Sequence, residues 1–130
     1  MSELRISENS SSEEILPFAK MVHELFSLPV TMRSKNKNGV RLEKGTIVDN
    51  DYTGPVLEEA MKKNCVIHTI PAQGAYKGIP VVVTPVHDKD GKPIAAIGIV
   101  DVVCTIDLAS VFGNYPQIVR QVEEIKLKKS

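Results

Sequence analysis

The sequence predicts an α+β domain, a five-stranded antiparallel sheet with flanking helices. Three observations carry this expectation. Segments with helical spacing alternate with segments rich in β-branched residues, in the order helix, two strands, helix, three strands and one or two closing helices. Asn38-Gly39 and Asp90-Gly91 are hairpin signals between apolar segments. The run 94–103 carries β-branched residues on both of its alternating faces, which suits a strand near the middle of the sheet with a face against helices.

The elements follow in chain order. Residues 7–14 are polar and low in complexity, so residues 1–11 are expected to form a mobile arm before a single domain over 12–130. Ser11 and Glu14 have the spacing of a capping box, and Ile15, Phe18, Ala19, Val22, Leu25 and Phe26 recur on one helical face. Pro17 lies deep enough to predict a kink or a later start, and Leu28-Pro29 ends the helix. Residues 30–33 and 40–48 read as a hairpin around the loop 34–39. Residues 49–54 read as a turn, with Asp51 or Thr53 capping a second helix that begins at Pro55 and stops at Asn64. Residues 65–70 and 79–86 are strands separated by the loop 71–78, and 87–91 turns into the central strand. Residues 107–112 and 116–127 close the chain as helices, with Phe112, Tyr115, Ile118 and Val122 as an apolar surface.

Composition narrows the functional classes. A chain of 130 residues matches one domain, which excludes an enzyme with separate cofactor and substrate domains. Hydrophobic residues at 42% and charged residues at 25% exclude collagen-like, wholly disordered and membrane-embedded classes. Sixteen basic residues balance sixteen acidic ones, so the basic excess of a nucleic-acid or anionic-membrane binder is missing. No segment approaches the ~18 apolar residues of a membrane span, and the first residues lack the apolar core of a signal peptide, so a cytoplasmic location is expected. Cys65 and Cys104 sit in apolar runs and form no CxxC pair, which fits free thiols rather than a disulfide framework.

Three residues stand out as candidates for a ligand site. Asp101 interrupts an otherwise apolar strand, where a carboxylate needs a partner: an amine or hydroxyl of a ligand, or else a backbone amide, an arginine or a subunit contact. His68 alternates with Val66 and Ile70 on one face of its strand and suits either ligand contact and proton transfer or a hydrogen-bonded structural role. Tyr76, in the 71–78 loop, combines a stacking surface with a hydroxyl and is placed to flap over a pocket, or simply to face solvent.

Other signals are weaker. Asp49, Asp51 and Thr53 have the opening spacing of a calcium loop, but its twelfth position is Ala60 instead of glutamate. Gly74 and Gly78 form no phosphate-loop motif, there is no GxSxG elbow, and His23 and His87 have no metal-ligand spacing. Amides after Gly54 have the character of any helix N-terminus toward an anion. No cofactor or metal is therefore expected.

Residues 82–101, with their Asp88-Lys89-Asp90-Gly91 turn and Val100-Asp101 strand end, resemble the hairpin of PAS- and Cache-type sensor domains. That resemblance implies a sensor-like layout, shared with profilin-like and roadblock-like domains, and it implies that Asp101 holds a ligand amine. Membrane segments and an output domain are missing from the pattern. Over nearly its whole length, through 23–34, 51–58, 94–102 and 105–108, the sequence resembles an archaeal family of unknown function found chiefly in methanogens (DUF2111-like). The expectation is a non-catalytic, small-molecule-binding or sensory domain with Asp101, His68 and Tyr76 at its site, as a homodimer that binds neither nucleic acid nor membrane. The alternatives are a dimeric interaction module of roadblock or profilin type, and a small enzyme using Asp101 and His68 as an acid/base pair.

Overall fold

A computed structural model of the chain describes residues 3–102. Its elements are α1 (Ser12–Phe26), β1 (Val30–Ser34), β2 (Gly39–Glu43), β3 (Thr46–Tyr52), α2 (Pro55–Lys63), β4 (Ile67–Thr69), β5 (Val81–His87) and β6 (Pro93–Val100). The strands form one antiparallel sheet in the order β3-β2-β1-β6-β5-β4. Val100 closes this compact unit, and a second unit starts at Asp101. The helices expected over 107–112 and 116–127, with the apolar surface they carry, lie outside the described residues.

The sheet has six strands rather than the expected five, because the segment 40–48 is itself folded into a hairpin. Lys44 and Gly45 both adopt positive φ, 52° and 78°, as a two-residue hairpin turn requires. Lysine gives no such signal in sequence. The residues expected to form a turn, 49–52, instead continue β3, and their turn chemistry appears as two register shifts against β2. Asp49 Oδ1 accepts the amide of Asp51 at 2.9 Å within this irregular edge strand.

Gly39 has a role different from the one its Asn-Gly pairing suggests. A Cβ there would lie 1.8 Å from the Met32 carbonyl oxygen, so glycine is required by the close approach of β1 and β2 rather than by positive φ.

α1 begins as expected, with the reciprocal Ser11–Glu14 capping box in place. The helix runs through Pro17 without starting late; the proline is exposed and gives up only one bond near the N-terminus. Of the segment expected to be a mobile arm, residues 8–10 bond to the β1–β2 loop. The Asn36 amide donates to Glu8 O at 2.8 Å, Asn36 Nδ2 to Asn9 Oδ1 at 2.8 Å, and Ser34 Oγ to Ser10 O at 2.7 Å.

The two helices lie on opposite faces of the sheet. Ile15 and Ala19 of α1 pack with Val30, Met32, Val40, Leu42 and Ala95. Leu57, Ala60 and Met61 of α2 pack with Val81, Val83 and Ala96. Neighbouring Ala95 and Ala96 thus point to different clusters, as strand alternation requires.

Two buried polar side chains fasten the helices. His23 on α1 donates from Nδ1 to Leu28 O at 2.6 Å, and its Nε2 accepts the Gly45 amide at 2.8 Å; these partners fix one neutral tautomer. Arg33 on β1 reaches Thr53 Oγ1 at 2.6 Å and Glu58 Oε1 at 3.4 Å, while also bonding the Ser34 and Lys35 carbonyls. Thr53 therefore serves Arg33 and Glu58 rather than capping α2; the N-cap is Gly54, without a side-chain bond.

Two substitutions test this packing in urea unfolding. His23→Ala is expected to lose about 1–3 kcal/mol, from two hydrogen bonds at about 0.5–1.5 kcal/mol each. Gly39→Ala is expected to lose at least about 2 kcal/mol through the clash with Met32 O. Losses below half a kilocalorie in either variant would show that these contacts relax freely.

Candidate functional site

The candidate site is a cleft on the α2 face of the sheet. Thr31, Val81, Val83 and Gly98 form its floor, Gly54 to Leu57 at the start of α2 form one wall, and the loop with Pro71, Gln73 and Tyr76 forms the other. Tyr52, at the end of β3, stands beside the helix start: a Cβ on Gly54 would lie 2.7 Å from the Tyr52 hydroxyl. The cleft encloses about 430 Å³ counted to its open mouth, of which about 30 Å³ admits the centres of water-sized molecules.

The local sequence explains this shape. Pro55 at the first helical position and Gly54 before it bring α2 onto the sheet with no side chain between the helix start and Tyr52. Gly98 allows the floor to close: a Cβ there would meet Val83 Cγ2 at 2.7 Å and Thr31 Oγ1 at 3.3 Å. The 71–78 loop folds on itself, with the Gly78 amide donating to Pro71 O at 2.9 Å and the Lys77 amide to Gly74 O at 3.3 Å.

A polar cluster adjoins the cleft. Alternation along β2 sends Val40 and Leu42 toward α1 and Arg41 and Glu43 to the other face. There the Tyr76 hydroxyl donates to Glu43 Oε2 at 3.0 Å, Arg41 Nε stands 3.4 Å from the same oxygen, and the Arg41 guanidinium lies 6.0 Å from the Tyr76 ring centroid. Arg41 Nε is buried and makes no hydrogen bond among the described residues.

Both phenols are held in their neutral form. Burial, reinforced by the hydrogen bond to Glu43 and that carboxylate's charge, pushes the Tyr76 hydroxyl far above the ordinary phenol range. Burial also raises Tyr52, with Arg41 opposing and Asp49 reinforcing the shift. At neutral pH the cleft presents hydroxyl donors and acceptors on an apolar surface, and among the described residues its lining holds no carboxylate, imidazole, thiol or amine.

Of the three residues expected from sequence, Tyr76 lines this cleft. His68 lies on the edge strand β4, exposed, and pairs with Val82. Its neighbour Ile67 shares the α2 face with Val83, so His68 points to the opposite face. Asp101 follows β6 directly, is 2% exposed, and is not part of the cleft lining. Sequence reading missed Tyr52, which fell in an expected turn, and Arg41 and Glu43, which fell in an expected strand. The alternation Val40-Arg41-Leu42-Glu43 was the available signal, since two charges on the face opposite two core residues mark a polar surface. Among the described residues no three His, Cys, Asp or Glu side chains group as metal ligands, and no helix is long and apolar enough to cross a membrane.

Fold and site together define an α+β domain with a helix on each face of an antiparallel sheet and a small apolar cleft flanked by tyrosines. Residues 22–103 match the family described as an uncharacterized protein conserved in archaea (DUF2111), and the chain belongs to that family. It is also 46% identical over 124 residues to an uncharacterized protein of Methanocaldococcus jannaschii, covering 95% of this chain and 90% of that protein.

The raised Tyr76 pKa has a measurable consequence. A folded-state value above the unfolded one, about 10, means that stability is fully present below that pH and is lost as pH rises toward the folded value. Above pH 10, therefore, the stability of the wild type is expected to fall more steeply with pH than that of Tyr76→Phe. Parallel slopes in urea titrations at several alkaline pH values would contradict the assignment.

Proposed function

We propose that the protein is a small-molecule-binding domain without catalysis, whose ligand occupies the cleft between α2, the sheet and the 71–78 loop. One observation carries this reading: an apolar recess at the start of a helix, edged by two neutral tyrosine hydroxyls. Such a surface suits a compact, mainly apolar molecule with one hydrogen-bonding group, which Tyr76 or Tyr52 would meet. The ligand contacts are assigned to these phenols and not to His68 or Asp101. Among the described residues the lining offers hydroxyl and apolar groups, which suits binding. The α+β layout with one antiparallel sheet agrees with a sensor or profilin-like layout only at the level of fold class, which leaves the activity open. A cytoplasmic setting belongs to the same proposal.

A second reading, a dimeric interaction module, is favoured by a separate observation. Met21, Leu25 and Phe26 on α1 are 54–73% exposed, and Ile47 and Val48 on β3 are 45–48% exposed. The His23–Gly45 bond brings the end of α1 onto the β2–β3 turn, so these apolar side chains lie at one end of the sheet.

Native and denaturing mass spectra of the same preparation distinguish the two. A mass excess that disappears on denaturation, and that is lost in Val83→Phe, which fills the floor of the cleft, is the result expected for ligand binding. A dimer with no excess mass, unchanged by Val83→Phe, would favour the interaction module.

A further inference from the structure

We infer that the 71–78 loop is a lid over the cleft, latched shut by the Tyr76 hydroxyl on the Glu43 carboxylate, and that release of this latch controls entry to the site. The inference rests on reading the cleft as a ligand site. In its present shape the cleft is narrow, with about 30 Å³ open to the centres of water-sized molecules, so a bulkier molecule is seated within it only if a wall moves. The floor and the α2 wall are committed to the core, with Leu57 2%, Ala60 0% and Val83 3% exposed. The loop is not: every residue from Ala72 to Ile79 is exposed except Tyr76.

The loop is also built to move as one piece. Its bonds from Gly78 to Pro71, Lys77 to Gly74 and Ile79 to Tyr76 close within the loop itself. Gly74 and Gly78 hold φ values of 90° and 80°, a region in which glycine passes easily between conformations. Tyr76 supplies the loop's side-chain hydrogen bond to the sheet among the described residues, 33 residues away in sequence.

Arg41 makes the latch two-state. When closed, the Glu43 oxygen accepts from Tyr76 while Arg41 Nε, 3.4 Å away, goes without a hydrogen bond. When Tyr76 leaves, the same carboxylate is free to take the Arg41 Nε–H, so the open state exchanges one hydrogen bond for another. Glu43 and Arg41 thus act through the lid rather than on the ligand.

Hydrogen exchange of the intact, ligand-free protein tests the latch directly. Amides of residues 72–79 are expected to exchange about tenfold faster in Tyr76→Phe and Glu43→Ala, while β5 and β6 amides keep their wild-type rates. Glu43→Gln retains a carbonyl acceptor for the tyrosine and is expected to stay close to wild type. A cysteine at the cleft floor, Val83→Cys, gives an independent readout. Its alkylation by iodoacetamide, followed on the peptide holding residue 83, should quicken by a similar factor when either latch-breaking substitution is added. Unchanged loop exchange and alkylation, or acceleration shared by the β5 and β6 amides, would overturn the lid. Neither readout needs a ligand, so a responsive lid in a protein that retains no small molecule would refute the binding reading alone.

Discussion

Strand β6 contributes to an apolar cluster on each face of the sheet, and the rest of the architecture follows from how it accommodates both. It pairs with β1 along one edge and β5 along the other, so its backbone polar groups are used on both sides. Its alternating side chains then have to fit into the cluster that holds Ile15 and Ala19 on one face and under α2 on the other. Ala95 and Ala96, both fully buried, meet this demand with the smallest side chains that still cover the sheet. Gly98 continues the pattern, because even a methyl group there would collide with Val83. Close packing at the sheet centre leaves little volume to spare, and the space that remains is displaced to the start of α2.

The offset of the helices creates two unequal surfaces. α1 covers β1 and β2, whereas α2 covers β5 and β6 on the other face. The α2 face of β2 is therefore not covered by that helix, and Arg41 and Glu43 occupy it half-buried, under the tip of the 71–78 loop. A charged pair in such a place has partial access to water, which lowers the desolvation cost of keeping it, yet it is dry enough for Tyr76 to feel the carboxylate strongly. The same half-buried condition makes the phenols dependable hydrogen-bonding groups and poor bases.

Arg33 and His23 are buried polar groups held by structural partners. Arg33 joins β1 to α2 through Thr53 and Glu58, and His23 joins α1 to the β2–β3 turn. Each is surrounded by partners contributed by its neighbours, and neither lines the cleft. Tyr76 differs because it lines the cleft while its partner, Glu43, is half-buried on β2 rather than inside a packed layer.

Much of the fold was legible in the sequence where the signal is local. The Ser11–Glu14 capping box, the Pro55 helix start, the Asp90-Gly91 turn with Gly91 at φ 80°, and the central place of the 94–100 strand depend on side chains acting on their own backbone or on simple periodicity. Tyr76 was legible as a candidate for the same reason, a lone aromatic in a glycine-bounded loop. The sequence by itself determined the class of fold, the family and the residue types available. Tertiary structure alone decided that residues 40–52 form two strands, because Lys44 accepts positive φ only when the strands on either side are already paired. It alone decided that Gly39 answers a contact 1.8 Å from Met32 O and that Tyr76 meets Glu43, 33 residues away. Such choices are set by the close packing of distant segments, and no short stretch of sequence contains both partners.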